Sequence, residues 1–505
     1  MANNAVANQA GSAPTTGAGP AVPDNPHFAR RWWILVVLGI AQIMVVLDTT
    51  VVTIALPTAQ RALGFSDNDR QWVITGYALA FGSLLLLGGR LADLVGHKWT
   101  FIIGLIGFGA ASAVGGAANG FAMLVTARAV QGGFGALLAP AGLALMTNTF
   151  TEAKERAKAF GIYGAIAGAG AGVGLLLGGV LTEYASWRWT LYINLAFAVL
   201  ALFGALTLLH HRPAEDRPRL DLPGTITVSA GLFALVFGFS RADTHGWSSA
   251  FTIVLLVIAA VLLTAFVVIQ RRIHNPLMPL RVLLDRNRGA SFLSIFLVSV
   301  GMFAVFLFLT YYLQITKGYS AVRTGVAYLP MVGVLVVSAA VVSTVLATRI
   351  GPRVTVPIGL LLGAVGLALL TQISPDSGYA LHVLGPTLIL GLGMGITFAS
   401  APSNSTLGVD AEHAGVASAL FNVMQQVGGS VGTALLNTLA ATAAVNFLHS
   451  HASTPGAAGL AAIHSYTVAF WWAAGITAAA AVLCAIVFRS GVPQVDPENR
   501  PVGVM

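Results

Sequence analysis

Fourteen stretches of this chain run for some twenty residues with almost no formal charge: 33–57, 71–88, 99–118, 121–147, 158–182, 188–209, 222–240, 250–269, 291–313, 325–347, 354–372, 380–402, 415–441 and 466–488. A helix needs about 20 apolar residues to cross a hydrocarbon core. In lipid the backbone must satisfy its own polar groups, so such stretches have to be helical. The two-residue alternation of a membrane barrel is absent from them. The pattern predicts an all-α polytopic membrane protein with 14 transmembrane helices. The fifth span is diluted by glycine and the seventh is short. Charged residues make up 9% of the 505 residues, against ~25% in soluble domains. A soluble fold of this length has no polar shell to draw on. A disulfide scaffold is excluded too, because the single cysteine, Cys484, lies in an apolar run.

The net charge of +8 carries meaning through its placement. With the N-terminus in the cytoplasm, nineteen Lys and Arg side chains fall in inside segments. Six fall outside: Arg61, Arg70, Arg188, Arg241, Lys317 and Arg323. Arg128 lies within a span. Such an excess marks the cytoplasmic face and places both termini there. The basic charge then meets anionic lipid, and no nucleic-acid partner is implied. Residues 1–31 read as a disordered cytoplasmic tail, since their polar start lacks the basic region of a signal peptide. The longest inside linkers, 210–221 and 270–290, bracket spans seven and eight. The layout is a six-helix half over 32–209, two inserted helices with linkers over 210–290, a second six-helix half over 291–488 and a cytoplasmic tail over 489–505. Arginine outnumbers lysine 22 to 4, the balance of a GC-rich bacterial genome, so the membrane expected is a bacterial plasma membrane.

A short inside loop after span two reads Gly89-Arg90-Leu91-Ala92-Asp93-Leu94-Val95-Gly96-His97-Lys98. A degenerate counterpart, Ala347-Thr348-Arg349-Ile350-Gly351-Pro352-Arg353, follows span ten. Transport proteins are often built from such repeats. The first loop resembles the signature of the major facilitator superfamily. Leu124 to Gly132, with Arg128 and Gln131, resembles its fourth-helix motif. Leu47-Asp48-Thr49-Thr50 through Pro57 resembles the first-helix motif of the fourteen-span drug:proton antiporters. Trp187-Arg188-Trp189 with Ile193-Asn194, Tyr312-Leu313-Gln314, and Gly415-Val416-Ala417-Ser418 with Gln426 to Gly429 fit the same subfamily. The resemblance covers about residues 32–488. It implies a 6+2+6 major facilitator fold that rocks between inward- and outward-open states and exports hydrophobic drugs or antibiotics in exchange for protons. Two positions depart from the pattern: Leu175 follows Gly174 where the fifth-helix motif has proline, and Leu195-Ala196 replaces the proline expected after the Ile-Asn pair.

The residues themselves narrow the chemistry. Asp48 and Arg128 are the formal charges well inside spans, and an ionisable group in lipid is costly unless compensated. At ~1.5 Å per residue, Asp48 lies ~14 Å below the outer face and Arg128 ~10 Å below it. The two can meet, directly or through water. Desolvation favours the protonated carboxyl and a nearby guanidinium favours the carboxylate. Proton coupling is therefore assigned to Asp48 with Arg128 as its modulator; the plainer alternative is a static ion pair joining helices. Gly89, Asp93, Gly96 and Lys98 sit at the cytoplasmic edge, where a conformational latch or an ordinary tight turn both fit. Gly164, Gly168 and Gly172 form one small-residue row of span five, and Gly170, Gly174 and Gly178 a second, which lets backbones approach closely. Gly174 and Gly178 join the gating set. Asn422, Gln425 and Gln426 lie within one turn of span thirteen, and Phe296 and Phe303 share a face of span nine. They are the substrate-binding candidates, against a role in helix packing.

A mostly apolar cavity suits neutral or singly cationic hydrophobic small molecules. No phosphate loop is present, so an ion gradient is the implied energy source. His449 and His451 do not share a helical face, no hydrolase constellation appears, and no metal or cofactor is expected. The reading is a secondary transporter working as a monomer. An exporter or proton-coupled importer of an endogenous metabolite shares this architecture; the resemblance alone sets direction.

Overall fold

A computed structural model describes residues 30–66, 69–150, 153–210, 221–273, 283–342, 350–406, 414–451 and 455–489; the side chains of Asp93 and Phe303 lie outside the described part. Fourteen long helices fill it. They are α1 (Arg31–Leu63), α2 (Gln71–Val95), α3 (His97–Gly116), α4 (Phe121–Thr149), α5 (Ala153–Tyr184), α6 (Trp189–Leu208), α7 (Leu222–His245) and α8 (Ala250–Arg272). Then come α9 (Arg286–Ala304, continued by π-helical turns Val305–Leu309 and Tyr312–Thr316), α10 (Ala321–Val341) and α11 (Pro352–Leu370). A π turn at Ala380–Leu384 leads into α12 (Gly385–Thr406), followed by α13 (Ala414–Ser450) and α14 (Ala457–Val487). No strand occurs among the described residues. Thirteen helices are long and apolar enough to cross a membrane over their described residues. The remaining one is α5, whose described apolar part is Gly172–Tyr184.

Local chemistry sets the ends. Gly64 closes α1 in a left-handed conformation, φ 68°, which glycine adopts without a Cβ penalty. Asp221 caps α7 by accepting from the Gly224 N–H at 2.8 Å. Asp285 caps α9 through the N–H groups of Asn287 and Arg288, each at 3.1 Å. Between α2 and α3 the chain reverses on Gly96 alone, at φ 93°. The inside loop expected over residues 89–98 is thus mostly helix: α2 continues through Asp93 to Val95. Its residues are good helix formers, and the glycine with positive φ supplies the stop.

The halves repeat. Within the first six helices α1 packs on α5 and α6, α2 on α4, and α3 on α4 and α6. Among the last six, α9 packs on α13 and α14, α10 on α12, and α11 on α12 and α14. Adding eight to each number of the first set gives the second. Two seams join the sets, α5 with α10 and α2 with α13, and the same renumbering relates them. Helices α7 and α8 pack on each other, and α7 also rests on α2 and α13. The α8 span is the most apolar of all, with 17% of its window buried, so its surface belongs to lipid.

Candidate functional site

Asp48 sits at the middle of a five-helix junction. It is 0% exposed and Arg128 is 2% exposed, so both charges are withdrawn from water. A buried charge is tolerated only when paired and hydrogen-bonded. The α4 guanidinium meets that condition: its Nη1 donates to Asp48 Oδ2 at 2.5 Å and to Gln131 Oε1 at 2.6 Å. Its Nε donates to the Val73 carbonyl of α2 at 3.2 Å. The Tyr77 ring covers its flat face, 4.4 Å from the guanidinium carbon to the ring centroid. The other carboxylate oxygen, Oδ1, accepts from Gln131 Nε2 and from Asn194 Nδ2 of α6, both at 2.7 Å. Ser112 of α3 accepts from the same two amides, at 2.7 Å and 3.4 Å, and donates to the Phe108 carbonyl at 2.8 Å. Three side chains from two helices thus hold one carboxylate. Such bonds to an ionised group are short and strong. The depth arithmetic brings Asp48 and Arg128 together correctly. It does not single out Gln131, Asn194 and Ser112, which carry no formal charge to draw notice.

Gly174 and Gly178 lie behind this junction, on the α1 side of α5. A Cβ on Gly174 collides with Thr50 Oγ1, and one on Gly178 comes within 3.0 Å of the Val51 Cα. Their absent side chains let α1 and α5 touch. Gly89 lies within α2, where a Cβ would meet Pro140 of α4 at 3.7 Å. Lys98 donates to the Leu209 carbonyl at 2.6 Å, satisfying a carbonyl just past the end of α6. On the same face, Arg31 holds Glu155 through two bonds of 2.8 and 2.6 Å, tying the starts of α1 and α5.

The face opposite the termini is where the two sets of helices meet tightly. A Cβ on Gly179 would lie 2.7 Å from the Ala321 carbonyl oxygen, and one on Gly172 would lie 3.2 Å from Val332. Glu183 accepts from the Val322 N–H at 3.0 Å, at the first turn of α10. Ser320 also donates to Glu183, and these bonds hold its carboxyl below the usual carboxylate range. Tyr311 of α9 donates to Gln60 Oε1 of α1 at 2.9 Å, and Gln314 donates to the Ile54 carbonyl at 3.1 Å. Arg70 lies 3.9 Å over the Tyr311 ring. This end of the molecule is closed.

Of the five substrate candidates, the Phe303 side chain lies outside the described residues. Asn422, Gln425 and Gln426 are half-buried on α13, where a Cβ on Gly82 of α2 would meet Gln426 at 3.4 Å. Phe296 is half-buried, and its backbone lies against Gly428 where α9 and α13 pack. These four residues stand at or beside the α2/α13 seam.

The chain belongs to the Major Facilitator Superfamily, whose model matches residues 38–433. It is a multi-pass membrane protein of a family of secondary transporters, not an enzyme family. It is 48% identical to the puromycin resistance protein pur8 of Streptomyces alboniger over 92% of this chain and 93% of that protein. It is 39% identical to the cephamycin export protein CmcT of Amycolatopsis lactamdurans, over 80% and 84% respectively. An autoinhibited peptide transporter of the POT family superposes with a TM-score of 0.66 at 16% identity, covering 92% of this chain and 98% of that one. At that identity the likeness is one of fold.

Proposed function

We propose that this protein exports hydrophobic antibiotics or drugs across the bacterial plasma membrane in exchange for protons, as a monomer. The relatives with known roles bear the names of antibiotic resistance and export. The reading rests above all on the fully buried Asp48, held by Arg128, Gln131 and Asn194. A carboxylate so placed, on helices that must shift during alternating access, exchanges its charge for a proton when its donors separate. One charge moved through 100 mV is worth ~2.3 kcal/mol, enough to drive a solute uphill.

The termini face is cytoplasmic in this reading, because its segments carry most of the Lys and Arg. The chain divides into two six-helix halves, with α7 and α8 inserted between them. The closed face is then the outer one, and substrate approaches from within. Asn422, Gln425, Gln426, Phe296 and Phe303 are the residues assigned to substrate binding in this reading. Gly89, Asp93, Gly96 and Lys98 form the inner latch, while Gly174 and Gly178 let α5 slide against α1.

Everted vesicles with a fluorescent hydrophobic substrate test this. Substrate addition is expected to evoke proton release from the lumen, and Asp48→Asn to abolish it. Proton coupling unchanged in Asp48→Asn would sink the assignment.

A further inference from the structure

The two amides on Asp48 are not equivalent. Gln131 donates to the carboxylate with Nε2 while its Oε1 accepts from Arg128 at 2.6 Å. Turning this amide over would set an NH2 group against the guanidinium, so its orientation is locked. Asn194 donates to the same carboxylate oxygen, yet its Oδ1 is buried without a hydrogen-bond partner. A buried acceptor left unpaired is costly and calls for an explanation. The two ends of an amide have nearly the same shape, and its terminal torsion is roughly two-fold. Asn194 can therefore turn over in place.

We infer that Asn194 is an amide switch that serves both charge states of Asp48, a positioning residue for proton exchange. This inference rests on the proton-coupling reading above. With Asp48 ionised, Asn194 Nδ2 donates to Oδ1, as seen. When Oδ1 takes a proton from water, that hydrogen bond is lost and the new O–H needs an acceptor. Asn194 turns about its Cβ–Cγ bond and its Oδ1 accepts the O–H. Release of the proton to water reverses both steps. Arg128 stays anchored by Gln131, the Val73 carbonyl and the Tyr77 face. The titratable or charged groups facing Asp48 are Arg128 from α4 and Tyr77 from α2. Ser112 from α3, Asn194 from α6 and the glycine face of α5 are neutral. Of the side chains bonded to Asp48, Asn194 alone offers an unengaged acceptor.

Infrared difference spectroscopy of the full chain in lipid, between acid and alkaline buffer, reads the protonated carboxyl directly. The band lost in Asp48→Asn belongs to Asp48. In Asn194→Leu that band is expected at higher frequency, the signature of an acid without an acceptor. Losing a charge-assisted donor outweighs losing a neutral acceptor, so the half-maximal pH of efflux should rise by about one unit, a tenfold change in proton activity. Asn194→Ala is expected to match Leu, while Asn194→Ser, with a hydroxyl that donates and accepts, stays nearer the parent. If Leu fails to insert, the Ala and Ser pair carries the comparison. An Asp48 band and pH profile unmoved by Leu or Ala, or Ser shifted as far as Ala, overturns the switch and leaves proton coupling standing. No band lost in Asp48→Asn overturns both.

Discussion

Glu183, at the far end of α5, caps the first turn of α10 through the Val322 N–H at 3.0 Å. A carboxylate at a helix N-terminus satisfies an orphan donor and opposes the positive end of the helix dipole. The bond joins the two six-helix sets on the closed face. Glu183 is exposed, so water and salt screen the contact and its contribution is modest.

The bonds from Ser320 and Val322 hold the Glu183 carboxyl below its ordinary range. A lowered folded-state value means the stabilisation is complete above the ordinary glutamate value. It is lost as pH falls through the lower folded value. Acid is therefore expected to loosen the α5/α10 contact, and Glu183→Gln to do so at neutral pH. Spin labels at the exposed positions Tyr184 and Val326 measure it as a longer or broader distance distribution. A distribution unchanged by acid and by Glu183→Gln removes the Glu183–Val322 contact from the account of closure.

Close backbone approach on the same face gives a sharper contrast. Gly179→Ala places a methyl 2.7 Å from the Ala321 carbonyl oxygen and the Val322 Cα, both backbone atoms that cannot swing aside. Overpacking of this kind costs ~1–3 kcal/mol. It should fall on the outward-closed state and slow transport. Gly333→Ala on α10 meets nothing within 4 Å and should transport like the parent. Equal efflux rates in the two variants would count against a seam that closes through α5.

Breaking the buried pair from one side should be worse than removing it. Arg128→Met leaves Asp48 buried without its counter-charge, at ~3–5 kcal/mol. The double variant Asp48→Leu with Arg128→Met should unfold later than Arg128→Met alone while remaining inactive. Thermal unfolding in detergent gives the order. Arg128→Lys should also fail, because an ammonium cannot serve Asp48, Gln131 and the Val73 carbonyl while stacking on Tyr77.

Asp221 is 4% exposed and serves two masters: the Gly224 N–H and the Gln270 amide of α8. Asp221→Ala loses the cap and should cost ~1–2 kcal/mol. Asp221→Asn caps about as well, and Gln270 can turn its amide to match, so its melting point should stay near the parent's.

The spans and the Asp48–Arg128 meeting were legible in the sequence for different reasons. Lipid penalises charge so heavily that apolar runs mark helices, and two opposite charges at one depth then have few places to go. Neutral polar residues carry no such penalty. Gln131 and Asn194 stand in motifs of the resemblance, but that they and Ser112 meet at Asp48 is legible only once the faces of α3, α4 and α6 are known. The Lys98 ammonium donates to the Leu209 carbonyl, a backbone group with no sequence signature. Glu183 went unmarked because its partner, an N–H at Val322, depends on how two distant helices end beside each other.

The placement of α7 makes the protein lopsided in the plane of the membrane. Internal symmetry supplies two equivalent seams, yet among the described residues α7 packs on only the one between α2 and α13. A lipophilic molecule diffusing sideways in the bilayer meets a shielded flank there. Among the described residues neither α7 nor α8 packs along the seam between α5 and α10, so the shielding of the two seams is one-sided even though their packing pattern is built twice over.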